Sequence, residues 1–249
     1  MDLSIIGFSE RVKKFYLTDK NLKIHKILRT RKVEGDLFTK DIKDLLTSKY
    51  IIISLNQKKT FNYISELKKL NYNGIIIIET PSISILKYFL YSLDNKIYVL
   101  EDLIFTNLAL KIKKKVKKEG FKKMIIINRG YFVFYHFISI IFFWNYNQFP
   151  KLYKFKHGFF YLKYSGFYLK TNLKKKTNGS IFIRLLTNKG CYKFFIRNSR
   201  YMKKNNTKLY LRYLAKQSRG GLNIKDYNKI NMYILYLKII DKMFRFLRI

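Results

Sequence analysis

Three short stretches of the chain set polar residues at the ends of apolar runs, where a fold can put them to chemical use. The first is Leu3-Ser-Ile-Ile-Gly7 followed by Phe8-Ser-Glu-Arg-Val12, which reads as a short buried strand, a glycine and the start of a brief helix over 11–17. Bare amides after a strand, at the N-terminus of a helix, receive phosphate groups, and dinucleotide-binding domains begin this way. Against the pattern G-x-G-x-x-G only Gly7 is a glycine, with Ser9 and Val12 in the other two places. Ser9 is small and can donate a hydrogen bond, whereas Val12 pushes helix and strand apart. The stretch is therefore either a loose phosphate turn or a plain strand-to-helix turn. The second and third stretches are Tyr50-Ile-Ile-Ile-Ser-Leu-Asn56 and Gly74-Ile-Ile-Ile-Ile-Glu-Thr-Pro81. Uninterrupted apolar runs of this length read as parallel strands covered on both faces. Sites in such sheets gather at the carboxyl ends of the strands, which sets Ser54, Asn56, Glu79, Thr80 and Pro81 at the lip of a cleft.

The elements that must position these residues follow a regular alternation. Lys23-Ile-His-Lys-Ile-Leu28 suits a second strand, and it is followed by Arg29-Thr-Arg-Lys32 where an NAD-type site would carry an acid for the ribose hydroxyls. Those cations either accept a 2′-phosphate or are surface charge, the second being the simpler account. Apolar spacing at Phe38, Ile42, Leu45 and Leu46 predicts a helix over 38–46, with Asp36 available near its start. A third strand over 50–55, a helix over 60–70 ended by Asn71-Tyr-Asn-Gly74, and a fourth strand over 75–78 come next. Pro81 stops that strand; a helix over 83–93, a strand over 96–101 and a basic helix over 106–118 complete the series. This rhythm predicts an α/β sheet of mostly parallel strands.

After Gly120 the texture changes. A strand over 122–128 leads into an aromatic tract around Tyr135-His136, and short aromatic-rich strands follow at 159–164, 166–170, 180–186 and 191–196. Asn178-Gly179 and Asn188-Lys-Gly190 are suitable hairpin turns, so a second, antiparallel sheet is expected, closed by an amphipathic helix over 224–246.

The order of these features resembles the glucose–fructose oxidoreductase and inositol dehydrogenase-like family. The resemblance is carried by Ile77-Ile-Glu-Thr-Pro81, the strand Lys96-Ile-Tyr-Val-Leu-Glu101, Gly120, and Tyr135-His-Phe-Ile-Ser139, and it spans about residues 3–145. It implies a Rossmann-type domain over 1–121 and an α+β domain over 122–249 built on an open, mainly antiparallel sheet. It further implies NAD or NADP as cofactor, hydride transfer on a sugar-like or other polar alcohol, and assembly through the open sheet. By the same resemblance Gly7, Ser9 and Arg11 line the phosphate turn. Ser54, Asn56 and Glu79, with Thr80 and Pro81, lie on the nicotinamide side, and His136 is the acid/base. An imidazole titrating near neutrality suits removal of a proton as hydride leaves carbon. The other reading of His136 is a core histidine within an aromatic cluster. Thr80 stands where the family carries lysine and Phe132 where many members carry an acid, so both an active and a decayed member fit the resemblance.

Composition bounds the alternatives. The 249 residues are 48% hydrophobic, enough for a substantial core. A single cysteine, Cys191, excludes an internal disulfide and any cysteine-based metal site, and suits a reducing compartment. His25, His136 and His157 are too scattered to suggest a metal centre. The longest apolar tract, 131–144, falls short of the roughly 20 residues of a bilayer span. The start Met1-Asp-Leu-Ser-Ile-Ile-Gly7 lacks the basic end and long apolar centre of a signal peptide. A cytoplasmic protein is expected. The net charge of +37 accompanies abundant Lys, Asn, Ile, Phe and Tyr with only 2 Pro and 1 Trp, the mixture that AT-rich codons produce. It still means strong non-specific attraction to nucleic acid at low salt. The basic run over 111–123 and Lys174-Lys-Lys176 keep a nucleic-acid-binding protein as one alternative, and a non-catalytic scaffold on the same fold as another.

Overall fold

The computed structural model describes residues 2–20, 22–29, 35–79, 96–100, 107–120, 123–128, 151–156, 159–164, 167–172 and 180–197, with helical positions 229, 232, 233, 236, 239, 240 and 243. The chain divides into two compact units, Met1–Glu101 with Thr207–Asn228, and Asp102–Asn206 with Lys229–Ile249.

The first unit is built on six parallel strands: β1 (Asp2–Ile6), β2 (Lys23–Leu28), β3 (Phe38–Thr39), β4 (Tyr50–Ile53), β5 (Ile75–Glu79) and β6 (Ile97–Leu100), in the order β3-β2-β1-β4-β5-β6. The isoleucine runs lie side by side, Tyr50 opposite Ile75 and Ile53 opposite Ile78, and β1 flanks them with Leu3 opposite Tyr50. Leu3, Ile5, Ile51, Ile52, Ile53, Ile77 and Ile78 are all fully buried, as expected for strands covered on both faces. Each such side chain contributes about 1.5–3 kcal/mol of burial, an upper bound because denatured chains are already partly collapsed.

Helix α1 (Gln57–Lys69) buries Phe61, Ile64 and Leu67. It starts three residues earlier than apolar spacing alone predicts, because the Asn56 side chain caps it, Oδ1 accepting from the Lys59 N–H at 3.1 Å. Its end is set by Asn71, at φ 56°, rather than by Gly74. The Tyr72 N–H bonds to the Leu67 carbonyl and the Asn71 N–H to the Lys68 carbonyl, both at 3.0 Å, a Schellman closure with asparagine in the left-handed place. Gly74 serves packing instead, since a Cβ there would stand 2.8 Å from the Lys49 carbonyl and closer still to the Tyr72 ring.

The helix expected over 38–46 does not form. Phe38 and Thr39 pair with Ile27 and Leu28 as β3, and a 3-10 turn, Ile42–Leu45, follows. The cap of that turn is Asp41, accepting from the Lys43 N–H at 2.9 Å, and not Asp36. The two buried residues Ile42 and Leu45 are three apart, so one short turn satisfies the spacing that suggested a longer helix.

In the second unit α2 (Asn107–Glu119) ends at Gly120, φ +72°, and precedes a second six-stranded sheet. Its strands are β7 (Lys123–Asn128), β8 (Lys151–Lys156), β9 (Phe159–Tyr164), β10 (Phe167–Asn172), β11 (Ser180–Leu186) and β12 (Cys191–Arg197), in the order β12-β11-β7-β10-β9-β8. All pairs are antiparallel except β7 with β10. This is the open, mainly antiparallel sheet expected, with β8 added. Phe160, Leu162, Ile183 and Leu185 alternate as its buried face. Thr187 Oγ1 donates to Glu119 Oε2 at 2.8 Å, tying the β11–β12 turn to the end of α2. Among the described residues no helix is long and apolar enough to cross a membrane, and no cluster of His, Cys, Asp and Glu could hold a metal ion.

Candidate functional site

The chain leaves β1 for β2 on one side and returns through β4 on the other, so the connections diverge above β1 and β4. Crevices in parallel sheets form at such a reversal, outside the carboxyl ends of the strands. Here that edge carries Gly7 after β1, Ser54 and Leu55 after β4, and Glu79 at the end of β5.

Gly7 is held at φ +98°, its N–H bonded to the Leu28 carbonyl at 3.0 Å. A Cβ at this position would lie 2.6 Å from the Ser54 carbonyl oxygen and 2.7 Å from Leu55 Cδ2. Only glycine meets both the backbone and the space requirement.

Beyond Gly7 the turn enters a π-helix, Val12–Tyr16, closed by the Leu17 N–H on the Val12 carbonyl at 3.1 Å. Val12 and Tyr16, four apart, are both buried. The Tyr16 hydroxyl donates to Glu79 Oε1 at 2.7 Å, and Ser54 Oγ donates to Glu79 Oε2 at 2.7 Å. Arg11 Nε lies 3.2 Å from Glu79 Oε1, with both side chains 13% exposed. Ser9 Oγ and Ser54 Oγ are 2.5 Å apart. A hydroxyl has one proton, and that of Ser54 is committed to Glu79, so Ser9 is the donor to Ser54. Ser9 in turn accepts from the Val12 N–H at 3.3 Å. The result is a chain from the Val12 amide through Ser9 and Ser54 to Glu79, braced by Arg11 and Tyr16.

Beside this web a cleft of about 300 Å³ opens over the ends of β1, β2 and β4. Ile6, Leu28 and Leu55 form its floor with the rings of Phe8 and Tyr63, the Gly7 backbone passes along it, and Arg29 and Lys59 supply its charge. The Arg29 guanidinium sits 4.9 Å from the Phe8 ring centre, and Phe38 meets that ring edge-on at 5.3 Å. Apolar walls with a few convergent polar groups are the usual make-up of a small-molecule site.

Of the residues singled out from sequence, Gly7, Ser9, Arg11, Ser54 and Glu79 come together at this edge. Asn56 lies at the same edge with its carbonyl oxygen engaged as the α1 cap. Thr80, Pro81 and His136 lie outside the described residues. Sequence reasoning missed Tyr16, Lys59 and Tyr63. Tyr16 was hidden by its place on the buried face of a short helix; Lys59 and Tyr63, four apart on α1, share a helix face that polar patterning would have shown.

No family model and no curated protein matches the chain. Solved structures do. A dehydrogenase (MviM) from Clostridium difficile is similar with a TM-score of 0.68 at 13% identity, over 97% of this chain and 99% of that one. A dehydrogenase from Chromobacterium violaceum reaches a TM-score of 0.74 at 6% identity, over 100% of this chain and 97% of its own. The scyllo-inositol dehydrogenase from Lactobacillus casei, solved with NAD(H) and scyllo-inositol, gives 0.64 at 11% identity, over 94% of each chain. Identities this low establish a common fold.

Proposed function

We propose that this protein is a nicotinamide dinucleotide-binding, oxidoreductase-type member of the glucose–fructose oxidoreductase and inositol dehydrogenase-like family, acting on a sugar-like or other polar alcohol. The observation that carries the reading is the cleft at the reversal point of a β3-β2-β1-β4-β5-β6 parallel sheet, with Gly7 packed too closely on Ser54 for any side chain. The fold shared with solved dehydrogenases supports it.

The cleft fits the adenosine half of a dinucleotide in size and chemistry. Its volume of about 300 Å³ is at the lower end for small-molecule sites, and its wall offers apolar side chains, two rings and two cations. Gly7 lets the ligand approach the backbone, and Ser9 and Arg11 shape the turn. Ser54, Asn56 and Glu79 border the side toward which the nicotinamide would extend, and Thr80 and Pro81 are the next residues in the sequence after Glu79. A bound nicotinamide supplies a hydride acceptor. His136 takes the hydroxyl proton as the alcohol carbon gives up its hydride, so the substrate leaves as a carbonyl compound. Threonine at 80 supplies no ammonium for that proton transfer, and on this reading the acid/base work falls to His136.

Fluorescence titration of NADH and NADPH at physiological salt tests the reading. Saturable binding of at least one is expected; absence of binding at millimolar cofactor overturns it. In a protein that turns over substrate, His136→Ala is expected to remove activity while leaving cofactor binding intact.

A further inference from the structure

Resting on that reading, we infer that the cleft selects an adenosine carrying a phosphate on its ribose 2′ oxygen, so that NADP(H) is bound in preference to NAD(H), with Arg29 and Lys59 as the phosphate-binding residues. A diol-binding site needs a carboxylate acceptor at the end of the second strand. Here β2 ends at Leu28 and Arg29 follows; among the described residues the cleft wall holds no carboxylate.

With 52 basic against 15 acidic residues, most cations in this chain lack an acidic partner, so an unpaired lysine or arginine is by itself uninformative. Placement and restraint distinguish these two. Both line the concave wall, Arg29 from the β2 end and Lys59 from the first turn of α1, so two separate elements bring positive charge to one cleft. The Arg29 main chain is fixed by its N–H on the Thr39 carbonyl at 3.0 Å. Its guanidinium lies on the Phe8 ring, itself braced by Phe38. A contact with a ring face uses no N–H donor, and a planar fork of N–H donors matches phosphate oxygens. By contrast, Lys13, which approaches the same ring at 5.3 Å, is already bonded to Glu10 at 3.0 Å.

The test is calorimetric competition at physiological salt between NADPH and NADH, and between 2′,5′-ADP and 3′,5′-ADP. The last two carry the same charge and differ only in where the second phosphate sits, which removes general attraction to a basic protein from the comparison. The wild-type protein is expected to bind NADPH and 2′,5′-ADP about tenfold or more tightly than their counterparts, the scale of one charge-assisted contact. The double variant Arg29→Ala, Lys59→Ala is expected to lose that preference, binding the two members of each pair alike, and the charge reversal Lys111→Glu, at a residue that does not line the cleft, to retain it. Equal affinities in the wild type, or a preference that survives the double variant, overturn the inference and leave the proposed function standing. Failure of both cofactors to bind overturns the proposed function itself.

Discussion

The Tyr16 hydroxyl donates to Glu79 Oε1 across 2.7 Å, joining the first helical turn to the end of β5, the fifth strand of the sheet, 63 positions later. The same oxygen faces Arg11 at 3.2 Å and the other takes the Ser54 hydroxyl. A carboxylate so enclosed fixes the position of the loop after β1 relative to the ends of β4 and β5, and that loop is one wall of the cleft.

Removing the carboxylate should therefore cost stability as well as shape. Glu79→Ala removes the carboxylate shared by Arg11, Tyr16 and Ser54, and is expected to lower unfolding free energy by about 3 kcal/mol. Glu79→Gln keeps one acceptor oxygen, replaces the other with an N–H donor to which a hydroxyl can turn as acceptor, and loses the ion pair, so it should cost less than the alanine. Urea unfolding of the three proteins checks the order.

Gly7→Ala places a methyl carbon 2.6 Å from the Ser54 carbonyl at a φ of +98°. The strain of such a backbone is of order 1–3 kcal/mol, before any displacement of Ser54 and Leu55. Thermal unfolding should report a clear loss of stability, with cofactor binding weakened in the fraction that folds.

Asn71 supplies the left-handed residue that closes α1. Asn71→Ala is expected to destabilise by about 1 kcal/mol, since a Cβ is disfavoured there, and Asn71→Gly to be neutral or slightly stabilising. Opposite signs at one position separate backbone conformation from loss of a side-chain contact.

Glu119 offers a pH signature. Burial pushes its carboxyl up, but hydrogen bonds from Thr187, Tyr192 and Lys115, with the charge of Lys115, hold it below the ordinary carboxylate range. A folded-state pKa below the unfolded one gives stability that is present above the unfolded value and lost as pH falls through the folded value. Glu119→Gln should thus melt lower than the wild type near neutrality, and the two melting temperatures should converge as the pH drops into and below the carboxylate range.

What the sequence showed and what it concealed follow from physical scale. The isoleucine runs of β4 and β5 announce themselves because a strand buried on both faces has no polar positions. The carboxyl ends of those strands were therefore legible, and with them Ser54 and Glu79. The helix expected over 38–46 failed because apolar residues three apart fit one 3-10 turn as well as a longer helix, and pairing of Phe38 with Ile27 decided the matter. The chain of hydroxyls from Ser9 to Ser54 to Glu79 joins residues 45 and 25 positions apart, and no local spacing encodes it. Strand β8 alternates lysine with larger side chains too irregularly to stand out before its partner β9 is known.

The central claim is that a nicotinamide dinucleotide occupies the cleft over β1, β2 and β4. Amide hydrogen exchange with and without saturating NADPH tests it most directly, because it reports where a ligand sits as well as whether it binds. Slower exchange is predicted in peptides covering residues 6–9 and 55–63. Unchanged exchange in both, with NADPH present at millimolar concentration, would contradict the account.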